Sequence, residues 1–400
     1  MIRVAIDATP ILGERTGIGV LVAGALHGLA ERDDLDLRAF ALSWRGRASL
    51  RGLAPAGVKT VRWPMAAAPL QTMWSRVDGP VIEWWTGPVD VVHGTNFVVP
   101  PAARAVEIVS VHDLTALRYP AMCQPATLRY PALIRRAIRR GAWVHALSNA
   151  MAEEIVELLG ASPDRVRVVA PGVDPVPRGA AGGSGGPGGA GGPGGAWAAC
   201  GVGDAGGPGG VGAAGGPGGG RRYVLALGRA EPRKDLPLLV RAFDELADGH
   251  RDFDLVIAGP SGWAEDALTM AIAQARHGDR IRRLGWVSDA RKAQLLRGAA
   301  VFAYPSVYEG FGIPPLEAMA AGVPVVATAV GGVPEAVGEA AVLVPVGDRD
   351  ALAGALARLV DDAEARDALV AAGFQQVAHF SWQRCVDGFH ALYLDAAASR

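Results

Sequence analysis

Between Ser306 and Met319 the chain reads S-V-Y-E-G-F-G-I-P-P-L-E-A-M, which places two carboxylates, Glu309 and Glu317, with seven residues between them. A Gly-Phe-Gly loop and a Pro-Pro step fill the interval. Gly310 and Gly312 let backbone approach a ligand closely. Pro314 and Pro315 suit the first turn of a helix, where no N–H is needed. The apolar run 300–304 predicts a buried parallel strand before the loop, and 316–320 predicts a helix after it. The loop therefore belongs at a strand's carboxyl end and a helix's amino end, where free backbone N–H groups and the helix dipole favour an anion. An anionic ligand is expected there, with one carboxylate on each side of its pocket.

Further chemistry-bearing residues follow other apolar runs. In Gly228-Arg-Ala-Glu-Pro-Arg-Lys234, Arg229 and Lys234 flank a turn that leads into a helix. Such a pair can neutralise a diphosphate by charge and hydrogen bonding, or be a solvated charged loop; the carboxylate loop downstream favours the first. Val111-His-Asp-Leu114 ends another run, so His112 and Asp113 are either ligands for substrate hydroxyls or a satisfied polar pair. His93 and Asn96, in V-H-G-T-N, form a similar tip. Thr16-Gly-Ile-Gly19 sits where Gly17 and Gly19 could bring N–H groups near a phosphate or simply make a tight βα turn. The full G-x-G-x-x-G fingerprint is missing and no acidic ribose partner falls at its distance, which argues against an NAD enzyme. The basic run Arg135–Arg140 and Trp74, Trp84 and Trp85 could touch a membrane, or be a solvated face and partly buried core.

Positioning these residues takes two domains, for which 400 residues at 50% hydrophobic content suffice. Short Val/Ile/Leu runs alternate with longer amphipathic stretches, the signature of βαβ units and parallel sheets. Strands are predicted at 2–6, 36–42, 58–62, 89–93, 106–111, 143–147 and 166–170, with helices at 18–31, 72–85, 125–140 and 149–160. A second set of strands is predicted at 222–227, 253–258, 281–284, 300–304, 323–327 and 341–344. The expected division is a first domain over 1–178, a disordered Gly/Pro-rich insertion over 179–220, a second domain over 221–378, and a helix over 379–400 crossing back to the first domain. The insertion is too rich in glycine to bury a core and lacks the collagen period. Trp382, Cys385, Val386, Phe389, Leu392 and Tyr393 share one face of the last helix.

A formal net charge of -1 gives no global steering toward nucleic acid. Three scattered cysteines show neither a disulfide framework nor zinc-ligand spacing, which fits the cytoplasm. No apolar run reaches spanning length, so the expectation is a soluble protein, at most peripheral at the inner membrane face.

With these motifs assembled, the chain resembles family 4 of the retaining glycosyltransferases, in particular its bacterial mannosyltransferase-like members. The likeness rests on G-R-x-x-x-x-K, L-G-W-V at 284–287, Y-P-S-x-Y-E-G-F-G-x-P-P-L-E-A-M-A-x-G at 304–322, G-G-x-P-E at 331–335, and T-G-I-G, H-G-T-N and V-H-D-L in the first domain. It implies an α/β GT-B fold, two Rossmann-like doubly wound parallel-sheet domains facing across a cleft. Carried over, it implies that Arg229 and Lys234 bind the donor diphosphate and Glu317 the ribose hydroxyls. Glu309 would lie near the transferred sugar, with the N–H groups of Phe311 and Gly312 reaching sugar or phosphate and Gly310 in the same loop. His112 and Asp113 would face the sugar from the first domain, and the backbone around Trp286 and Val287 would meet the base. Val20 stands where the family usually shows arginine, and Asp235 where Asn or Gly is common.

The expected activity is retaining, metal-independent transfer of a sugar, mannose from GDP-mannose by resemblance, to a glycan or lipid-linked acceptor in cell-surface polysaccharide or glycolipid synthesis. No cofactor is expected, the nucleotide sugar being a substrate, and no nucleic-acid partner. Glu309 could serve as a nucleophile. The resemblance favours a front-face route in which the leaving diphosphate, stabilised by Arg229 and Lys234, takes the acceptor's proton. The alternatives are an epimerase or phosphorylase on the same fold, or a non-catalytic sugar-nucleotide-binding subunit.

Overall fold

The computed structural model describes residues 1–13, 17–174 and 221–400, so the Gly/Pro-rich segment 179–220 lies outside the described residues. The chain divides into two compact units. The first comprises Met1–Gly172, Glu309–Ile313 and Phe380–Arg400, and the second Val173–Tyr308 and Pro314–His379.

The first unit holds strands β1 (Ile2–Asp7), β2 (Leu35–Phe40), β3 (Lys59–Thr60), β4 (Val91–Gly94), β5 (Val106–Val111), β6 (Trp143–Ala146) and β7 (Val166–Val168). They form one sheet in the order β3-β2-β1-β4-β5-β6-β7, parallel throughout. The second holds β8 (Arg222–Leu227), β9 (Phe253–Ala258), β10 (Ile281–Gly285), β11 (Val301–Tyr304), β12 (Val325–Thr328) and β13 (Ala341–Val344), in the order β10-β9-β8-β11-β12-β13, again parallel. Both orders reverse direction once, between β1 and β4 and between β8 and β11. Ligands bind at such switch points, outside the strands' carboxyl ends.

Central strands such as β9 are buried at every residue, because helices cover both faces of a parallel sheet. That is why the strands were readable as apolar runs. The helix predicted over 72–85 is not continuous. Residues Ala67–Trp74 and Glu83–Thr86 form separate helices, with Gly79-Pro80 between them, since proline removes an N–H and disfavours helical backbone at the residue before it. The helix predicted from 125 begins at Tyr130, with Pro131 in its first turn.

The last helix, Trp382–Ala398, buries Cys385, Val386, Phe389, Leu392 and Tyr393 within the first unit. Helix Gly17–Ala30 receives it across Gly24 and Gly28. A Cβ on Gly24 would lie 2.2 Å from the Trp382 ring and one on Gly28 2.3 Å from Val386. Tyr393 also ends a buried chain of hydrogen bonds whose direction is fixed. His145 Nε2 meets the carbonyl of Val169 at 2.9 Å and must donate. Its Nδ1 therefore accepts from Ser110 Oγ, which accepts from His93 Nε2, whose Nδ1 accepts from the Tyr393 hydroxyl.

Glu309–Ile313 was placed with the second domain, in 221–378, but packs with the first unit, because the Gly310 backbone rests directly on residues at the ends of β5 and β6, as follows.

Candidate functional site

In the first unit, His112 stands at the carboxyl end of β5. Its Nε2 donates to the Thr95 carbonyl at 2.7 Å, so its Nδ1 is an acceptor. That Nδ1 is buried with no hydrogen-bond partner among the described residues, and so are Asn96 Oδ1 and Thr115 Oγ1. Burial pushes the imidazole below its ordinary pKa, against the opposing bond to Thr95, so His112 is neutral at physiological pH. Unpaired buried acceptors are costly, and a ligand hydroxyl would relieve that cost. Asp113 is half-buried and its Oδ1 accepts from the Thr115 amide at 2.9 Å, so it shapes the turn after β5.

The Gly310–Gly312 loop lies against these strand ends. A Cβ on Gly310 would sit 1.7 Å from the His112 carbonyl oxygen, so only glycine allows this approach. The Gly310 carbonyl accepts from Ser148 Oγ at 2.9 Å, and the same hydroxyl caps helix Asn149–Leu159. Gly312 adopts φ 151°, a region open to glycine. Phe311 is buried edge-on to Phe380, with ring centroids 5.4 Å apart. Gly17, in the first turn of its helix, has Ile313 Cδ1 3.6 Å from where a Cβ would be; Gly19 is buried in the same helix. Glu309 is buried as well.

Asp7, at the carboxyl end of β1, was passed over in the sequence. Burial pushes its carboxyl up to about 6, partly opposed by hydrogen bonds from the Thr9 hydroxyl and amide.

In the second unit, the basic turn follows β8 and the loop beginning at Pro305 follows β11, the two strands flanking the switch point. Arg229 donates to the Ser261 carbonyl at 3.0 Å and lies 3.8 Å from Glu231. Lys234 is buried; its Nζ donates to the Tyr304 hydroxyl at 2.9 Å and lies 4.6 Å from that ring's centroid. The turn and the loop are laced together. The Val307 amide donates to the Arg233 carbonyl at 2.7 Å, and Arg233 reaches the Tyr308 carbonyl. Asp235, with φ 40°, caps helix Leu236–Gly249 through the Leu238 amide.

Glu317, on helix Ile313–Ala320, is not alone. Lys292 Nζ, on helix Asp289–Gly298, donates to its Oε1 at 2.7 Å, with side-chain exposures of 29% and 21%. Burial opposes the charge on Lys292, but Glu317 beside it holds the ammonium above its ordinary value. Trp286 and Val287 follow β10; Trp286 is exposed and Val287 half-buried, just before Ser288 caps that helix. Lys292 was missed in the sequence because 25 residues separate it from Glu317 and nothing local links the two.

The residues read from the sequence therefore divide between the two units. Gly17, His112 and Glu309–Gly312 lie with the first, and Arg229, Lys234, Trp286, Val287 and Glu317 with the second. A Rossmann-type strand order in each unit, seven strands in the first and six in the second, defines a two-domain α/β protein, with a glycine loop against unpaired acceptors in the first unit and a cationic turn at the switch point of the second.

Comparison with known proteins supplies the family. Residues 16–172 match the model "Glycosyl transferase 4-like domain" and residues 213–376 match "Glycosyl transferases group 1". The chain thus carries one glycosyltransferase domain of each kind on a GT-B fold. It is 37% identical over 164 residues to an O-antigen chain mannosyltransferase B of Escherichia coli, covering 41% of this chain and 43% of that one. It is 38% identical over 180 residues to a phosphatidyl-myo-inositol mannosyltransferase of Mycobacterium leprae, covering 44% and 47%. It is 32% identical over 269 residues to a D-inositol 3-phosphate glycosyltransferase of Acidothermus cellulolyticus, covering 62% and 52%. The match thus spans about half the length of these curated relatives. Among solved structures, a sucrose-phosphate synthase from Thermosynechococcus elongatus aligns over 100% of both chains, with TM-score 0.71 and 18% identity. Anabaena HepE in complex with UDP and glucose aligns over 98% and 99%, with TM-score 0.68 and 15% identity. These two likenesses concern the fold.

Proposed function

We propose that this chain transfers a sugar, mannose from GDP-mannose, to a glycan or lipid-linked acceptor in cell-surface polysaccharide or glycolipid synthesis, retaining the anomeric configuration without a metal ion. The observation that carries it is the pair of loops flanking the second unit's switch point. A buried Lys234 and a neighbouring Arg229 follow β8, and Val307 ties the loop after β11 to that turn. Mannose is favoured by the names of the E. coli and M. leprae relatives, and a nucleotide donor by the UDP in the HepE complex.

In this mechanism Glu317, oriented by Lys292, accepts hydrogen bonds from the ribose hydroxyls. Arg229 and Lys234 stabilise negative charge as the sugar–phosphate bond breaks, and a donor phosphate oxygen takes the acceptor's proton. The neutral His112 cannot donate from Nδ1; it accepts a bond from a sugar hydroxyl there and so orients the ring. Glu309 stabilises the developing positive charge at the anomeric carbon. Two relatives act by name on inositol-based molecules, which supports a polyol or its lipid among the acceptors.

The test is a panel of nucleotide sugars, assayed for slow donor hydrolysis and for transfer, with and without EDTA. GDP-mannose consumed at an EDTA-insensitive rate supports the proposal. Consumption of a different donor overturns the mannose assignment, and conversion of donor to an isomer without acceptor favours the epimerase.

A further inference from the structure

Residues 37–77 contain seven arginines and lysines and not one aspartate or glutamate, in a chain whose basic and acidic residues otherwise balance. Arg38 and Lys59 pair with Asp36 just outside the stretch. Arg45 and Arg62 are exposed, and neither pairs with an acid among the described residues. Beside them stand two of the most exposed tryptophans, Trp44 at 62% and Trp63 at 68%.

The two loops are neighbours. β2 and β3 pair in parallel, Arg38 opposite Lys59 and Ala39 opposite Thr60, and just beyond them the Met65 amide donates to the Ser43 carbonyl at 3.3 Å. Trp44-Arg45 and Arg62-Trp63 therefore form one corner of the first sheet's carboxyl-end rim. Part of the membrane surface suggested by the sequence is engaged internally, although Trp84, at 75%, and Arg139 stay exposed. Arg135 is bonded to the Leu158 carbonyl, Arg136 and Arg140 pair with Asp78 and Glu107, and Trp74 is buried.

We propose that the β2–β3 rim is a docking surface for an anionic phospholipid bilayer, with Trp44 and Trp63 entering the headgroup layer and Arg45 and Arg62 meeting its phosphates. Charge complementarity selects this occupant. Tryptophan's amphipathic ring suits the membrane interface, and clustered arginines add attraction to anionic lipid. A neutral glycan would gain nothing from a stretch cleared of acids.

The location also has a use. All strands of the sheet run the same way, so β5 ends on the same rim, three strands from β2 in the order given above. At the usual interstrand spacing, His112 lies about 14 Å from the β2 corner. A bilayer seated there would present an extended headgroup toward His112 while its acyl chains stay in the membrane. This deepens the lipid-linked acceptor of the proposed function, but its test needs no transfer activity, so either idea can fail without the other.

The full chain would be sedimented with vesicles of phosphatidylcholine alone and of phosphatidylcholine with phosphatidylglycerol. The expected result is at least tenfold tighter binding to the anionic vesicles, weakening with salt. Trp44→Ala with Trp63→Ala should weaken it by about tenfold, and Arg45→Gln with Arg62→Gln by about fivefold per arginine. These side chains are exposed, so thermal midpoints should not move; if the alanine pair unfolds, Trp44→Gln with Trp63→Gln takes its place. Failure to bind, equal binding to both vesicles, or wild-type binding by both double variants would overturn the proposal. So would self-association in the absence of vesicles that the tryptophan variant abolishes, which would make a second copy the occupant.

Discussion

Replacing Lys292 with methionine keeps most of the side chain's volume and removes the ammonium that holds Glu317 Oε1 at 2.7 Å. Glu317 then loses both its fixed position and the charge that balances it beside an anionic donor. A hydrogen bond to a charged group contributes about 1.5–3 kcal/mol, and the 29% and 21% exposures call for a discount for solvent screening. About 1–2 kcal/mol remains, a five- to thirtyfold rise in nucleotide dissociation constant. Calorimetric titration with GDP and UDP measures it directly. KM for the donor should rise by a similar factor with kcat nearly unchanged, because the contact is the same in the ground and transition states. Lys292→Arg should recover most of the loss. Combining Lys292→Met with Glu317→Gln should cost little more than either change alone, since the two residues act through one contact. Additive losses, or unchanged affinity in Lys292→Met alongside a clear loss in Glu317→Gln, would refute the positioning role. Unchanged affinity in Glu317→Gln itself would refute the ribose assignment instead.

The two carboxylates should separate kinetically. Glu317→Gln should raise donor KM by about tenfold with kcat less affected, whereas Glu309→Gln should lower kcat by about a hundredfold with little change in KM. Gly310→Ala should lower kcat by at least about tenfold, because its Cβ would sit 1.7 Å from the His112 carbonyl and the loop must move; GDP titration should show little change. Stability should fall on mild acidification. Burial holds His93 well below its ordinary pKa and pushes His145 down to about 3, so below about 6.5 only the unfolded chain takes up these protons. Each of the two histidines then costs on the order of 1 kcal/mol between about pH 7.5 and pH 5.5, and His112, lowered by burial too, acts in the same direction. Asp7, raised to about 6, takes up its proton in the folded state over the same window and offsets less than one histidine. A net loss of stability in denaturant unfolding is expected, and a gain on acidification would contradict the assignments.

The strands were legible because a parallel sheet covered on both faces demands unbroken apolar runs. The loops were legible because glycine, proline and charged residues mark strand ends. One failure was local: Gly79-Pro80 interrupts an otherwise helical pattern and marks the break in the sequence itself. The others depend on contacts between residues distant in sequence. Lys292 meets Glu317 only when two helices are packed. The tautomer of His112 is set by the Thr95 carbonyl, 17 residues away, and no local pattern carries it. Nor could Arg136 and Arg140 be recognised as paired until Asp78 and Glu107 were in place.

The central claim is retaining transfer driven by charge on a departing diphosphate. Proton NMR of the first product formed from GDP-mannose and a lipid-linked or inositol acceptor tests it most directly, run beside Arg229→Ala and Lys234→Ala. The account predicts an anomeric configuration matching the donor's in the wild-type product. In both variants kcat should fall far more than affinity for the free nucleoside. An inverted product, or variants that lose nucleoside affinity and turnover equally, would contradict it.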